Sequence, residues 1–365
     1  MQLKRSYFLT HAPIEFHFSQ NARDFVVEEI PLYEFSGEGE HLILKVRKKG
    51  FATWEMLDIL SNHCGIKMRE FGYAGLKDKE ALTYQYISIH KSHEEKIEAF
   101  EHENIKIMEK TYHNNKIKRG HLKGNKFFIR LKKVMPLAAT KIDQALQRIK
   151  DEGMPNFFGY QRFGMNSDNH IQGKAILDGT KKMRAKNVRE LLINAYQSHL
   201  FNSWLSERID LSHLVNSFSA SELVDAHGKF TEKEYVELKS QSQFLKLLTG
   251  DVMSHYPYGK LFYVEEENGS EQAERFLKKD ITPTGIISGK KVKFAEKSAW
   301  TLEEKYAPKI ELWGDRRFAW IFPDIELFEY KEEKAQVEIT FTLPKGSYAT
   351  SLIEELSKKV LKVSR

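Results

Sequence analysis

Regular alternation of apolar and polar residues occurs near both ends of the chain, and a long stretch of different texture separates the two regions. The alternation is clear at 41–49, 127–134 and 337–343. Because successive side chains of a strand point to opposite faces, each segment predicts a half-buried strand of a largely antiparallel sheet with one covered face. Residues from about 215 to 312 are irregular instead, with clusters of glycine, serine and charge. Strands on both sides of such a stretch predict an insertion into one sheet domain of the α+β class.

Four helices are predicted from apolar residues spaced three and four positions apart. Their ranges are 53–65, 140–153, 187–209 and 347–363. Thr53 is the candidate N-cap of the first helix, and Gly65 is its predicted end. Asn187 and Glu190 resemble a capping box at the start of the third helix.

The bulk composition indicates a soluble protein of the cytoplasm. The chain has 365 residues, of which 41% are hydrophobic, and its one cysteine, Cys64, rules out an intramolecular disulfide. No apolar run approaches the roughly 20 residues that a membrane helix needs. Residues 1–16 lack the apolar core of a signal peptide. We therefore expect no membrane partner.

A basic segment lies at 109–134, where nine lysines or arginines accompany a single acid. A solvated hairpin would explain such a run of charge. Aromatic residues interleave with the cations, however, and Gly120 and Gly124 allow close approach of the backbone. Surfaces that contact phosphate need both properties. The segment therefore favours a nucleic-acid partner, in line with the net charge of +6.

Several common cofactor and metal motifs are missing from the sequence. The 14 histidines include no HxxxH pair, and there is no CxxC, which argues against a zinc enzyme. No GxxxxGK[ST] or GxGxxG loop is present, which argues against ATP or NAD. No GxSxG elbow indicates an acyl hydrolase. The sequence therefore predicts no cofactor, neither a nucleotide nor a metal.

One acid stands in an unusual setting, in the segment GYAGLKDKEALTYQYISI at 72–89. Asp78 lies between Lys77 and Lys79, after a turn with two glycines. Acids in such runs are most often exposed and inert. If the chain is extended here, however, Asp78 faces the sheet or a cleft while both lysines meet solvent or phosphate. Nearby cations favour the ionised carboxylate that a nucleophile needs, so Asp78 is the candidate catalytic acid.

Two further segments combine aromatic rings with polar groups. The segment MPNFFGYQRFG at 154–164 holds Asn156 and Arg162 among its rings. A buried aromatic turn explains two of the phenylalanines, but a ring beside an amide also suits a flipped base, which needs stacking and edge hydrogen bonds. Tyr348 projects from a strand-to-helix junction, where a helix N-terminus attracts phosphate or carbonyl oxygen. A simple turn would also explain that junction.

These segments together resemble the TruD family of pseudouridine synthases, which modify a uridine in transfer RNA. Six blocks match the family in order and reach almost from end to end of the chain. They are 22–61, 71–89, 117–131, 154–164, 194–209 and 342–356. The weakest match, at about 182–312, falls where the family has an insertion domain.

The resemblance assigns roles to individual residues. Asp78 falls on the family's catalytic aspartate, and Phe25 falls on the aromatic residue of its first signature. Asn156 and Phe158 fall on the family's active-site asparagine and stacking phenylalanine. Tyr348 stands where the family often has phenylalanine, so a ring is retained.

Ser19 departs from the family pattern, which usually has a lysine six residues before Phe25. Either the alignment slips at this point, or another cation serves, and Lys77 and Lys79 are the candidates. The residues predicted to bind substrate are Phe25, Lys77, Asn156, Phe158, Arg162 and Tyr348.

The resemblance also implies a fold and a reaction. It implies a pseudouridine synthase fold of permuted strand order at 1–180 and 313–365, with an inserted α/β TRUD domain at 181–312. The implied enzyme is an isomerase that converts uridine 13 of transfer RNA to pseudouridine without a cofactor. The segment 109–134 fits one wall of its RNA cleft. Asp78 would start the reaction, either by attack on the ribose or by assisting a glycal intermediate.

Two other functions are compatible with parts of the sequence. An RNA-binding protein or RNA chaperone, with a merely structural Asp78, would explain the basic segment and the aromatic residues. A nuclease is the weaker alternative, because the chain lacks the clustered acids that would bind catalytic metal ions.

Overall fold

The computed structural model describes residues 5–361, which alternate between strands and helices. The strands are β1 (Phe25–Pro31), β2 (His41–Lys48), β3 (Gly72–Tyr73), β4 (Leu82–His90), β5 (Ile105–His113), β6 (Leu122–Lys132), β7 (Met154–Pro155), β8 (Val252–His255), β9 (Leu261–Tyr263), β10 (Ile281–Ile287), β11 (Asp315–Phe318), β12 (Trp320–Ile321), β13 (Asp324–Lys331) and β14 (Gln336–Pro344). The α-helices are α1 (Thr53–Cys64), α2 (Glu94–Glu98), α3 (Pro136–Glu152), α4 (Asn169–Leu177), α5 (Lys186–Ser217), α6 (Ala220–Ala226), α7 (Glu232–Ser240), α8 (Gly269–Leu277), α9 (Lys297–Glu303) and α10 (Ala349–Ser357). Within 5–361, none of the helices has both the length and the apolar character that crossing a bilayer requires.

One compact unit comprises residues 15–144 and 323–346, and it is built on an eight-stranded sheet. The strand order is β13-β14-β6-β1-β4-β2-β5, and β3 pairs with β4. β1 and β4 run parallel, with Val26 opposite Leu82. The other pairings described in this sheet are antiparallel. The predicted α+β class with a mainly antiparallel sheet is thereby confirmed.

Helix α1 packs its apolar stripe against the inward residues of β2. The buried residues of this cluster include Leu42, Leu44, Val46, Met56, Leu57 and Leu60. The period of two in the strand and of 3.6 in the helix predicts these contacts. As predicted, α1 ends before Gly65, whose φ of 60° lies in the left-handed region that glycine adopts freely. Thr53 is the first helical residue and not the cap, because Ala52 takes the N-cap position.

The second unit comprises the chain through Ile14, residues 145–322 and the chain from Ser347 onward. Its longest element is α5, which has 32 residues and is largely buried. Its main sheet has the order β11-β10-β8-β9, and β7 pairs separately with β12. Gly285 in β10 leaves room for the ring of Trp204 in α5, since a Cβ at that position would lie 2.2 Å from the ring. This close approach packs the long helix onto the sheet.

Several predicted helix boundaries are wrong, among them the end of α5, which lies at Ser217 rather than at 209. α5 begins at Lys186, so its N-cap is Ala185 and the predicted capping box does not form. α3 begins at Pro136, four residues earlier than predicted, because proline is favourable in the first turn of a helix. α10 ends at Ser357, where Lys358 takes a left-handed φ of 52°. The last two residues of that predicted helix lie outside the described residues.

The bounds of the two units differ from the domain bounds predicted from the sequence. One boundary between the units falls within α3, between residues 144 and 145. The assignment of 1–180 with 313–365 as a catalytic domain, and of 181–312 as an inserted domain, stays a prediction.

Candidate active site

Asp78 lies in the loop 74–81 that connects β3 to β4. The start of α1 holds this loop in place. The backbone N–H of Lys77 donates to Thr53 Oγ1 at 2.9 Å, and the Thr53 hydroxyl donates to Gln85 Oε1 at 3.0 Å. Thr53 is buried, so its hydroxyl fixes the loop against the helix and the sheet rather than capping the helix.

Lys77 is buried, which corrects the expectation that both lysines beside Asp78 face solvent. Its ammonium forms a buried ion pair with Glu29 in β1, and Glu29 also accepts from the backbone N–H of Tyr86 at 3.3 Å. Gly75 leaves space for the ammonium, since a Cβ there would lie 3.2 Å from Lys77 Nζ. The expectation assumed an extended strand, but the chain turns at this point, and a buried lysine needs a carboxylate partner.

Lys48, the last residue of β2, supports the same loop from within the protein. Its relative exposure is 0%. The ammonium donates to three backbone carbonyls, those of Phe51 at 2.6 Å, Asp78 at 3.0 Å and Lys77 at 3.4 Å. Burial lowers the pKa of Lys48 to about 8, although the charge of Asp78 acts in the opposite direction. One buried cation therefore binds the backbone of the candidate catalytic residue itself.

Asp78 is exposed as a residue although its carboxyl group is partly enclosed, and both neighbouring lysines form ion pairs with other acids. The residue is exposed, and Lys79 pairs with Glu55 at 2.9 Å. Partial burial of the carboxyl raises the pKa of Asp78 above its ordinary value, and the charges of Lys48 and Lys77 partly offset this effect. The two adjacent lysines are thus held by Glu29 and Glu55 rather than by Asp78, and Lys48 is the cation that contacts its backbone.

Phe25 opens β1 in the same sheet unit, and the structure packs its ring inside. Its exposure is 2%, with Phe127 stacked at a centroid distance of 6.2 Å and Phe18 edge-on at 6.0 Å. Ser19 lies in the turn before β1, where its hydroxyl accepts from Asn21 Nδ2 at 3.1 Å. The substrate-binding role of Phe25 stays a prediction.

Asn156 lies directly after β7 in the second unit and is held by an arginine that sequence reasoning missed. Nε and Nη2 of Arg317 donate to the Asn156 backbone carbonyl at 3.2 and 3.1 Å, and Nη2 donates to its side-chain Oδ1 at 2.9 Å. The Asn156 Nδ2 donates to the carbonyl of Phe318 at 3.0 Å. Burial lowers the pKa of Arg317 to about 10, so the guanidinium stays charged at neutral pH.

The ring of Phe158 is the centre of this group. The Arg317 guanidinium lies 3.9 Å from the ring centroid, and that of Arg162 lies 5.7 Å from it. Tyr348 contacts the ring at a tilted centroid distance of 6.0 Å. Asn202 in α5 fixes the backbone, because its Oδ1 accepts from the Phe158 N–H at 2.9 Å and its Nδ2 donates to the Phe158 carbonyl at 3.0 Å. The half-buried ring is therefore held between two cations and a second ring.

Comparison with known proteins decides the family. The family model of tRNA pseudouridine synthase D (TruD) matches residues 2–185 and 180–356. The chain belongs to the TruD family. It is 54% identical to the tRNA pseudouridine synthase D of a Nitratiruptor species over 99% of both chains, and 53% identical to that of Sulfurimonas denitrificans over 98% of this chain and 99% of the relative.

The fold of this TruD-family chain also matches a solved structure. That crystal structure comes from Methanosarcina mazei and is described as a candidate tRNA pseudouridine synthase D (TruD). The TM-score is 0.69, with 21% identity, and the match covers 97% of this chain and 96% of the other. It supports the mixed α+β fold.

The predicted site residues of this TruD-family chain fall into two groups. Asp78, Lys77 and Phe25 belong to the sheet unit. The others belong to the second unit and gather around the Phe158 ring; they are Asn156, Phe158, Arg162 and Tyr348. The first group places the carboxyl group of an exposed residue on a fixed loop. The second holds a half-buried ring beside a fixed guanidinium, and the Asn156 amide is buried against Arg317 and Phe318.

Lys48 and Arg317 are the functional candidates that the sequence interpretation missed. Both left a signal. Lys48 shares the parity of Leu42, Leu44 and Val46 in β2, which places a lysine on the apolar face of a strand. Arg317 follows Arg316 within β11, so the two side chains point to opposite faces of the strand and one of them must face the protein interior.

Proposed function

We propose that this TruD-family protein is a transfer RNA pseudouridine synthase, an isomerase that converts a uridine to pseudouridine with Asp78 as its catalytic acid residue. By family resemblance the target is uridine 13. The bond from ribose C1′ to uracil N1 breaks and a bond from C1′ to C5 forms, so no atom is gained and no electron is transferred. Asp78 acts in its ionised form, either on C1′ directly or by assisting a glycal intermediate.

The observation that carries this proposal is the fixation of the Asp78 loop. Lys48 binds the carbonyl of Asp78 itself, Thr53 binds the N–H of Lys77, and Glu29 neutralises the Lys77 ammonium. A loop with this many buried anchors is pre-organised, and holding a reacting group in a fixed geometry is a major source of catalysis.

In the same proposal the Phe158 group recognises the flipped base. A uracil ring offers two flat faces for stacking and a polar edge for hydrogen bonds. Phe158 and Tyr348 provide rings, and Asn156 provides an amide whose orientation Arg317 fixes. Residues 181–312 are the proposed inserted domain, and the cytoplasm, where transfer RNA is modified, is the proposed location.

The test replaces Asp78 by asparagine, which removes the charge with little change of size. Pseudouridine in a purified transfer RNA transcript is measured after incubation with each protein. Asp78→Asn is expected to form none above background, while the matched control Glu80→Gln, an exposed acid two residues further along the loop, keeps the wild-type rate. Product formation by Asp78→Asn would overturn the assignment.

A non-catalytic RNA-binding protein or RNA chaperone is the other candidate, and the basic segment at 109–134 is the observation that favours it. It predicts that the wild-type protein binds transfer RNA and forms no pseudouridine in any transcript. The same assay, run together with a filter-binding measurement, separates the two functions.

A further inference from the structure

An exposed tryptophan stands beside the anchors of the Asp78 loop. Trp54 is the second residue of α1 and is 42% exposed. Thr53 before it binds the loop backbone, and Glu55 after it pairs with Lys79 of the loop. Because successive helical residues are rotated by about 100°, the Trp54 ring points away from both contacts. It packs edge-on against Tyr73 of β3 at a centroid distance of 5.3 Å.

Arg119 completes this arrangement. Its Nε and Nη2 donate to the Tyr73 hydroxyl at 2.9 and 2.7 Å. The guanidinium lies 5.8 Å from the Trp54 ring centroid and 5.5 Å from that of Tyr73. Trp54, Tyr73 and Arg119 are called the Trp54 cluster below. Arg119 donates these hydrogen bonds to the neutral hydroxyl of Tyr73. The bonds therefore position the exposed guanidinium without neutralising its charge.

Three further cations lie on segments that hydrogen bonds or chain continuity connect to Arg119 and to the Asp78 loop. Lys118 and Lys123 are exposed. Lys345, also exposed, donates its backbone N–H to the Lys123 carbonyl at 3.0 Å and its ammonium to the Gly120 carbonyl at 3.4 Å. The Gly120 N–H in turn donates to the carbonyl of Ala74 at 2.8 Å, at the start of the Asp78 loop. Arg119 therefore places one positive charge at the tryptophan, and the three lysines lie on segments adjoining Arg119 in sequence or by hydrogen bonds.

This combination matches the chemistry of an unstacked nucleotide. A single exposed apolar residue is ordinary on a protein surface. An exposed ring that contacts a fixed guanidinium, with lysines on the adjoining segments, is a pattern that suits single-stranded RNA, because the ring can stack on a base and the cations can contact the phosphates.

We propose that the Trp54 cluster is an RNA-binding subsite, in which the exposed face of Trp54 stacks on an unpaired base of the substrate while Arg119 and Lys118 contact its flanking phosphates. This inference rests on the proposed function and deepens it. The subsite binds a nucleotide other than the one that reacts. Its binding energy is the same in the ground state and the transition state, so it lowers KM and leaves kcat unchanged.

The decisive comparison is Trp54→Phe against Trp54→Leu. Both variants keep an apolar side chain, but only phenylalanine keeps a ring that can stack. Binding of a labelled transfer RNA transcript is measured in the Asp78→Asn background, so the readout does not depend on product formation. Trp54→Leu is expected to bind about 5- to 50-fold more weakly than its parent, and Trp54→Phe within about threefold of it. Trp313→Ala, which removes a 69% exposed tryptophan beside Lys291 in the other unit, is the matched control and should bind as the parent.

Two further readouts sharpen the test. In the protein with Asp78 intact, Trp54→Leu should raise KM while the single-turnover rate at saturating RNA stays within about twofold of wild type. Arg119→Met should lower the slope of log affinity against log salt by about one, as expected for one lost phosphate contact. Equal affinities of the Leu and Phe variants, whether both strong or both weak, would overturn the stacking proposal. If wild type forms no pseudouridine while Trp54→Leu still binds weakly, the proposed function fails and the subsite stands.

Discussion

Replacing Lys48 by methionine is expected to lower activity by more than the accompanying loss of stability can explain. The ammonium binds the carbonyls of Phe51, Lys77 and Asp78, and methionine fills a similar volume without any donor. The loop that carries the candidate catalytic acid then loses its anchor from β2. The contacts of Lys77 with Glu29 and Thr53 remain, so the loop stays folded but less fixed.

The magnitudes come from opposing contributions. A hydrogen bond from a charged donor contributes about 1.5–3 kcal/mol. A pKa lowered from 10.5 to about 8 corresponds to a cost of about 3 kcal/mol for keeping Lys48 charged in the protein at neutral pH. Lys48 makes three such bonds, which together outweigh the cost of keeping its charge, so the free energy of unfolding should fall by roughly 1–6 kcal/mol in Lys48→Met. If the bond to Asp78 is needed in the transition state, its loss lowers kcat roughly 10- to 100-fold.

The pH profile gives a second signature of Lys48. In the folded protein the ammonium loses its proton as pH rises through about 8, whereas the unfolded chain keeps it to about 10.5. The unfolded state then binds more protons, so this residue makes the free energy of unfolding rise between these pH values. The neutral amine has only two N–H groups for three carbonyls. We therefore expect the kcat of the wild type to fall above pH 8 while its stability rises.

The assay combines single-turnover pseudouridine formation at saturating RNA with urea unfolding, each from pH 7 to 9.5. Lys45→Met is the matched control, because Lys45 lies in the same strand and forms ion pairs with Glu28 and Glu109 at the surface. The reasoning is refuted if Lys48→Met keeps the wild-type kcat. It is also refuted if the loss of activity only follows the unfolded fraction, or if the decline above pH 8 persists in Lys48→Met.

Three other perturbations test the remaining contacts. Arg317→Lys should lower pseudouridine formation at least about tenfold, because an ammonium cannot reproduce the forked contact with Asn156; a wild-type rate would contradict this role. Glu29→Gln leaves the Lys77 ammonium buried without its partner and should cost about 3–5 kcal/mol in urea unfolding, with recovery in Glu29→Gln/Lys77→Met; a loss below about 1 kcal/mol would show that the pair is not needed. Because burial raises the pKa of Asp78, kcat should fall as pH drops through a value above 3.8. A single-turnover profile whose acid limb lies at or below that value would contradict the environment described for Asp78.

Much of the sheet unit could be predicted from local pattern. Alternation in β2 and the apolar stripe of α1 each report burial, and the two faces do meet in one cluster. Gly65 ends α1 as predicted, since a left-handed residue is a local requirement. In these cases neighbouring residues alone determine which face is buried and where the helix ends.

The contacts of the candidate site depend on partners far along the chain, and here local reasoning was weaker. Lys77 was expected at the surface, but Glu29, 48 positions earlier, draws it inward. Thr53 was interpreted as a helix cap, yet its hydroxyl binds the loop 24 positions later. Arg317 and Asn156 are 161 positions apart. No pattern within a short window contains both members of such pairs.

The parallel pairing of β1 with β4 determines which charged segments meet at one edge of the sheet. It brings the starts of both strands to one edge of the sheet, so the turn around Ser19 and the loop of Asp78 enter side by side. β2 runs antiparallel to β4, and β6 runs antiparallel to β1, so the last residues of β2 and β6 lie at the same edge. These last residues are Lys48 and Lys132. Four separate segments thus supply the charges of one small region. A substitution that changes the charge of any one segment therefore changes the electrostatic potential at this edge, to which all four contribute.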